Sequence, residues 1–188
     1  MLVRRLARVA LICALTAAST TAATGCSGEA ESEPRREGLA IPLNGITYNV
    51  FITRQLNLND PEDKGYVQLP PAPPGSTYYG VFLQACNEGD TSLTPASNFT
   101  IVDTQGEEFE PLELEEGNPF AYVPTAIESD ECTPEAGSVA SQGPTGGALL
   151  VFEIPLEATE NRPLELEVSQ GYDLEAGEPK HLMFELDI

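Results

Sequence analysis

ITYNVFIT, residues 46–53, puts Ile46, Tyr48, Val50 and Ile52 at every second position. Successive side chains of a strand point to opposite faces, so this spacing makes one apolar face and one mixed face, the mark of a half-buried strand. LELEV (164–168) repeats the pattern with Leu164, Leu166 and Val168, and HLMFELDI (181–188) with Leu182, Phe184, Leu186 and Ile188. YYGVFLQAC (78–86) and ALLVFEI (148–154) are apolar on both faces, which predicts central strands. NFTIVD (98–103) and PFAYVP (119–124) supply two shorter strands. Between these runs lie NDPEDKG, PPAPPG, NEGD, TQGEE, EEGNP, SQGPTGG, ENRP and EAGEP, rich in residues that accept the backbone angles of tight turns. No helical period competes: EEFEPLELEE (107–116) is interrupted by Pro111 and alternates at Leu112 and Leu114, so it reads as strand or loop. The pattern predicts an all-β protein, an immunoglobulin-like β-sandwich of about seven strands.

The chain begins MLVRRLARVALICALTAA, with Arg4, Arg5 and Arg8 ahead of an apolar run from Val9 to Ala18. A run of about ten residues is too short to span a bilayer and has the layout of a secretory signal. Ala23-Thr24-Gly25-Cys26 resembles the bacterial lipobox, with Ala23 where Leu is usual. The resemblance implies that Cys26 carries a diacylglyceryl group and becomes the mature N-terminus. The expected divisions are a signal peptide over 1–25, a lipidated N-terminus and acidic tether over 26–38, and the sandwich over 39–188. The expected place is the outer face of the bacterial cytoplasmic membrane. SGEAESEPRREG (27–38) has almost no apolar side chain with which to fold. A coil of that length reaches on the order of 20 Å.

Exported chains meet oxidising conditions. Cys13 leaves with the signal and Cys26 takes the lipid, so Cys86 and Cys132 remain as one pair, expected to form a buried disulfide. Closing that loop is worth about 4 kcal/mol on the chain-entropy account. Removing the signal takes three arginines and leaves six basic against 30 acidic residues, a formal charge of −24. Such a surface repels phosphate, so nucleic acid is not an expected partner. The expected contacts are the membrane, through the N-terminal lipid, and an envelope protein or polymer, with the chain itself a monomer.

A wider resemblance rests on particular residues. Asn87 closes a long apolar strand, Asp103 and Gly106 form an Asp-x-x-Gly hairpin within FTIVDTQGEEFEPL, and Gly147 opens an apolar run ending in Phe152, Glu153, Ile154 and Pro155. Over 46–188 the chain resembles the bacterial immunoprotective-extracellular immunoglobulin-like domain. That resemblance implies a β-sandwich with no assigned catalytic residue, in a secreted or lipid-anchored protein.

Enzyme motifs are searched by elimination. The sole histidine, His181, stands beside Lys180 at the start of the last strand, and GxSxG, GxxxxGK[ST], GxGxxG and HExxH are absent. No catalytic residue and no cofactor are assigned. One polar cluster invites a metal reading: Asn57, Asn59, Asp60, Glu62 and Asp63 are hard oxygen donors of the kind calcium takes, and Asn57, Asn59, Asp60 and Asp63 are the candidate ligands. The spacing is not that of an EF-hand, and an Asx-rich turn accounts for the same residues. Tyr78 and Tyr79, beside PPAPPG, would make a sugar- or peptide-binding ridge if exposed and sandwich packing if not. The functional expectation is a non-enzymatic surface lipoprotein whose sandwich binds or spaces another envelope component; the alternative is a calcium-dependent or carboxylate-based hydrolase of envelope polymers.

Overall fold

A computed structural model describes residues 33–174 and 177–188; the expected signal peptide, Cys26 and most of the tether lie outside the described residues. In chain order the strands are β1 (Arg35–Arg36), β2 (Ile41–Leu43), β3 (Ile46–Leu56), β4 (Ser76–Asn87), β5 (Asn98–Val102), β6 (Glu108–Phe109), β7 (Cys132–Thr133), β8 (Ala148–Pro155), β9 (Glu165–Asp173) and β10 (Glu178–Glu185). Two short helices, α1 (Pro61–Tyr66) and α2 (Val139–Gln142), interrupt them. One sheet runs β1-β10-β9-β5-β6; the other runs β2-β3-β4-β7, with β8 also pairing β4. The protein is a β-sandwich, with ten strands among the described residues rather than about seven. The additional strands are two or three residues long, too short for a period of two to register.

The alternating residues meet between the sheets. Ile46, Tyr48 and Val50 of β3, Leu164, Leu166 and Val168 at β9, and Leu182, Phe184 and Leu186 at β10 are all buried in one cluster with Val81, Leu83 and Phe152. Ile52 does not follow. Val50 pairs Leu83 and Ile52 pairs Phe82, so Phe51 is an extra residue in β3, and this bulge turns Ile52 outward to 39% exposure.

β4 and β8 are apolar on both faces because both faces are covered. A second cluster on the outer face joins Leu56, Tyr66, Val67, Tyr78, Phe82, Leu149 and Val151, with Leu112, Leu114 and Phe120 packed against it. The cover is the β3–β4 connection and the 110–124 segment. The latter lies along β8 through single bridges: Leu112 N–H donates to Val151 O at 2.7 Å, and Tyr122 N–H to Leu149 O at 3.0 Å. PFAYVP is therefore not a strand. Pro119 and Pro124 bracket it and lack the donors a ladder needs, leaving one parallel bridge at Ala121 and Leu149. Gly147 admits β8 to this sheet, since a Cβ there would stand 2.7 Å from the backbone nitrogen of Leu83.

Cys86 and Cys132 are bonded as direct cross-strand partners of β4 and β7 within one sheet, half-buried rather than deep between sheets. Beside them Asn87 is fully buried and satisfied. Its Nδ2 donates to Thr91 O at 2.7 Å and Ile127 O at 2.9 Å, and its Oδ1 accepts from Gly89 N–H at 3.0 Å. Asp103 plays the same part after β5. It accepts from Glu107 and Gln105 N–H at 2.8 Å each and from Asn161 Nδ2 at 2.8 Å, and Gly106 supplies the φ of 81° that the turn requires. These bonds, that from Glu107 first, hold the Asp103 carboxyl below its usual range.

Sheet pairing begins before Leu39. Arg35 and Arg36 pair in parallel with Phe184 and Glu185, and Glu37 accepts from Thr53 N–H and Asp187 N–H at 3.2 Å each. Backbone pairing needs no apolar side chain, so composition alone did not reveal it.

Parallel pairing also fixes direction: the chain reaches Arg35 from the side of the β9–β10 turn. At that end Asn44 Nδ2 donates to Gln170 O at 2.5 Å, which places the β2–β3 turn there too. β3 runs away from it, so α1 and the proline-rich arm before β4 occupy the opposite end. We refer to these as the near end and the far end.

The phenols of buried Tyr48 and half-buried Tyr122 tie β3 and the 120s to the segment before β5. Ala96 N–H donates to Tyr48 Oη at 2.6 Å, and Tyr122 Oη donates to Ala96 O at 2.8 Å. Burial pushes the Tyr48 phenol up from 10.0 to about 12, against the Ala96 bond. The unfolded phenol ionises first, so this contribution is whole below pH 10 and is lost as pH rises toward 12. Tyr48→Phe is expected to cost about 1–3 kcal/mol at neutral pH, because it orphans a buried N–H. Between those pH values it should flatten the alkaline loss of stability by about 1 kcal/mol per pH unit. Denaturant titration of both proteins at several pH values checks each expectation; equal stability at neutral pH would show that the Ala96 latch carries no load.

Candidate functional site

The far end is built on a six-residue helix. Asp60 caps α1 by accepting from Glu62 N–H at 2.8 Å, Pro61 takes the first helical position, Glu62 and Asp63 fill the first turn, and Lys64 sits in the last. Asp63 points inward and is 5% exposed. One of its oxygens pairs with Arg54 Nη2, and the other accepts Asn57 N–H at 2.7 Å. Arg54 lies 5.7 Å from the centre of the Tyr66 ring and 3.6 Å from Glu62. Tyr66 in turn meets Phe82 and Phe120 edge-on at 5.1 and 5.0 Å, and its carbonyl accepts Asn118 Nδ2 at 2.9 Å.

The four candidate calcium ligands thus have separate employments. Asp63 holds Arg54, Asp60 caps the helix, Asn57 Oδ1 accepts Asn59 N–H at 3.1 Å, and Asn59 is exposed. Among the described residues no group of three or more His, Cys, Asp or Glu is disposed to hold a metal ion. Tyr78 and Tyr79 form no ridge. They are 4% and 7% exposed and point to opposite faces of β4, one into each core cluster. Burial raises both phenols. His181 lies in β10, its Nδ1 3.3 Å from Pro179 O.

What the far end offers instead is an open groove of about 670 Å³ between the end of β3, α1 and the proline-rich arm. Gln55, Asn57, Asn59 and Lys64 line it with exposed polar side chains, while Leu58, Leu69 and Ala72 contribute apolar surface. Hydrogen-bonding amides beside a half-apolar floor suit a ligand presenting both hydroxyl or amide groups and apolar surface. Arg54, which holds the groove's helix in place, escaped the sequence reading. Its signal was position: two of the chain's nine Lys and Arg residues, Arg54 and Lys64, flank the same acidic loop.

No protein-family model and no curated protein matches the chain. Solved structures do. The yjhA protein of Bacillus subtilis superposes with a TM-score of 0.54 at 11% identity, over 81% of this chain and 99% of that one. A "putative lipoprotein (ycdA)" of Bacillus subtilis gives 0.51 at 12% identity, over 79% of this chain and 38% of that one. At such identities the likeness shows the fold alone. Among the described residues no helix is long and apolar enough to cross a membrane.

Arg54→Ala leaves the buried Asp63 carboxylate unpaired. Loss of ~2–4 kcal/mol is expected, below the range for wholly buried pairs because the Arg54 side chain keeps 32% of its surface in water. Thermal unfolding of the purified domain checks this; an unchanged midpoint would mean that the pair does not hold α1.

Proposed function

We propose that the chain is a lipid-anchored cell-surface protein whose non-catalytic sandwich binds or spaces another component of the bacterial envelope. The observation that carries this reading is the placement of β1, which begins nine residues after Cys26 in sequence and joins the sheet beside β10 at the near end. Nine residues reach about 30 Å at most, so an anchor on Cys26 would keep the sandwich close to the membrane surface. The fold shared with a protein called a putative lipoprotein supports the same setting. So does the resemblance to immunoprotective-extracellular immunoglobulin-like domains: Asn87, Asp103, Gly106 and Gly147, which carry it, are residues whose side chain, or lack of one, turns and packing depend on.

The partner reading rests on the groove. Its amides and Lys64 are the polar groups offered outward by a surface otherwise dominated by carboxylates, and a polymer or protein segment with acceptor groups fits them. Mature charge near −24 keeps such a domain soluble and away from anionic surfaces except where the lipid holds it.

The test is metabolic labelling with radioactive palmitate in a bacterium that expresses the full chain, followed by detergent phase partition. Labelled protein in the detergent phase is expected for the parent, and unlabelled protein in the aqueous phase for Cys26→Ser. Equal partition of the two without label would contradict the anchor.

A further inference from the structure

The proline-rich arm between α1 and β4 has a pattern of exposure of its own. In LPPAPP (69–74), Leu69 and Ala72 are half-buried and packed against the outer core cluster, while Pro70, Pro71, Pro73 and Pro74 are exposed. The repeat is three residues, which is the period of a polyproline II helix and of neither a strand nor an α-helix. The sequence dictates that conformation. Proline fixes φ at about −65°, and Leu69, Pro70, Ala72 and Pro73 each precede a proline, which drives them out of the helical region.

Both ends of the arm are tied to the body. Val67, just before it, is 3% exposed, and its N–H donates to Asp63 O at 3.3 Å. At the other end Ser76 N–H donates to Pro73 O at 3.0 Å, and Leu156 N–H donates to Gly75 O at 2.8 Å. One ridge of a three-sided rod is thus clamped onto the sandwich. The other two ridges, Pro70 with Pro73 and Pro71 with Pro74, stand outward over about 12 Å at roughly 3.1 Å per residue.

We propose that this arm is a docking strip for a second protein that presents a cleft of aromatic side chains, which receives the Pro70-Pro71 and Pro73-Pro74 pairs. Flat rings pack into the furrows between proline ridges. A polyproline II helix has no internal hydrogen bonds, so its carbonyls, Pro73 O excepted, are left for donors at the edge of such a cleft, a tyrosine hydroxyl or an indole N–H. The ordering that a free proline-rich chain must undergo on binding is already complete here. Charge also favours the strip: residues 65–87 hold no charged side chain, in a chain of 30 acidic and nine basic residues. The inference rests on the partner reading proposed above and gives that partner a chemistry; it does not depend on the lipid.

The chain contains no tryptophan, so the emission of a tryptophan in a partner's cleft is read without background. The full chain, purified in detergent, is titrated into three proline-reading probes with aromatic clefts, one SH3, one WW and one EVH1 domain. The expected result is a saturable blue shift with at least one probe, about tenfold weaker for Pro70→Ala/Pro73→Ala and displaced by excess free peptide QLPPAPPG. Displacement by the peptide decides the question if the double variant loses its native thermal midpoint. A shift that the peptide does not displace overturns the strip, since the probe is then held elsewhere on the chain. Absence of a shift with every probe also overturns it, and sedimentation of the same chain with purified cell wall separates the two readings. A chain that sediments but meets no probe loses the strip and keeps the binding role; a chain that does neither loses both.

Discussion

β4 and β8 carry apolar side chains on both faces, and a sheet with two apolar faces has to be covered twice. The facing sheet covers one side. The β3–β4 connection with α1, together with the 110–124 segment, covers the other, and Phe82, Leu149 and Val151 are buried beneath it. The burial of Tyr66 and the direction of the far-end groove both follow from that second layer. A half-exposed sheet of ordinary alternating sequence would have required none of these.

The strands that pack one face were legible because their chemistry has a period. Leu164, Leu166, Val168, Leu182 and Phe184 declare the β9–β10 core in sequence, as Ile46, Tyr48 and Val50 declare β3. Ile52 misled because a bulge at Phe51 shifts the phase, and nothing in a period-two pattern marks an inserted residue. β1 is two arginines, and what binds it to β10 is backbone pairing, to which side-chain hydropathy is blind. The double apolar faces of β4 and β8 were visible, and β4 is central, between β3 and β8; hidden from the sequence was that the cover on the outer face is loop and a helix of six residues.

The candidate site was half legible. Asn57, Asn59, Asp60 and Asp63 do come together at the far end, but oxygen donors suit a helix cap and an ion pair as readily as a cation, and the sequence does not distinguish these uses. Asp60-Pro61 with two acids behind it is the signature of a helix start, and it was available. The role of Arg54 depends on a contact nine residues away across a turn. Only the fold brings its guanidinium between the Asp63 carboxylate and the Tyr66 ring. The same arrangement leaves Lys64 and the amides of Gln55, Asn57 and Asn59 to face the groove at the far end.

The most direct test of the two-layer account is native-state amide hydrogen exchange resolved by residue. If the outer cover is an integral layer, the N–H groups of Leu112 and Tyr122, which donate to Val151 O and Leu149 O, should exchange as slowly as those of β8 itself. Exchange of these two amides at the rates of an unstructured chain, with β4 and β8 still protected, would contradict it. The outer face would then be a sheet that stays folded without its cover.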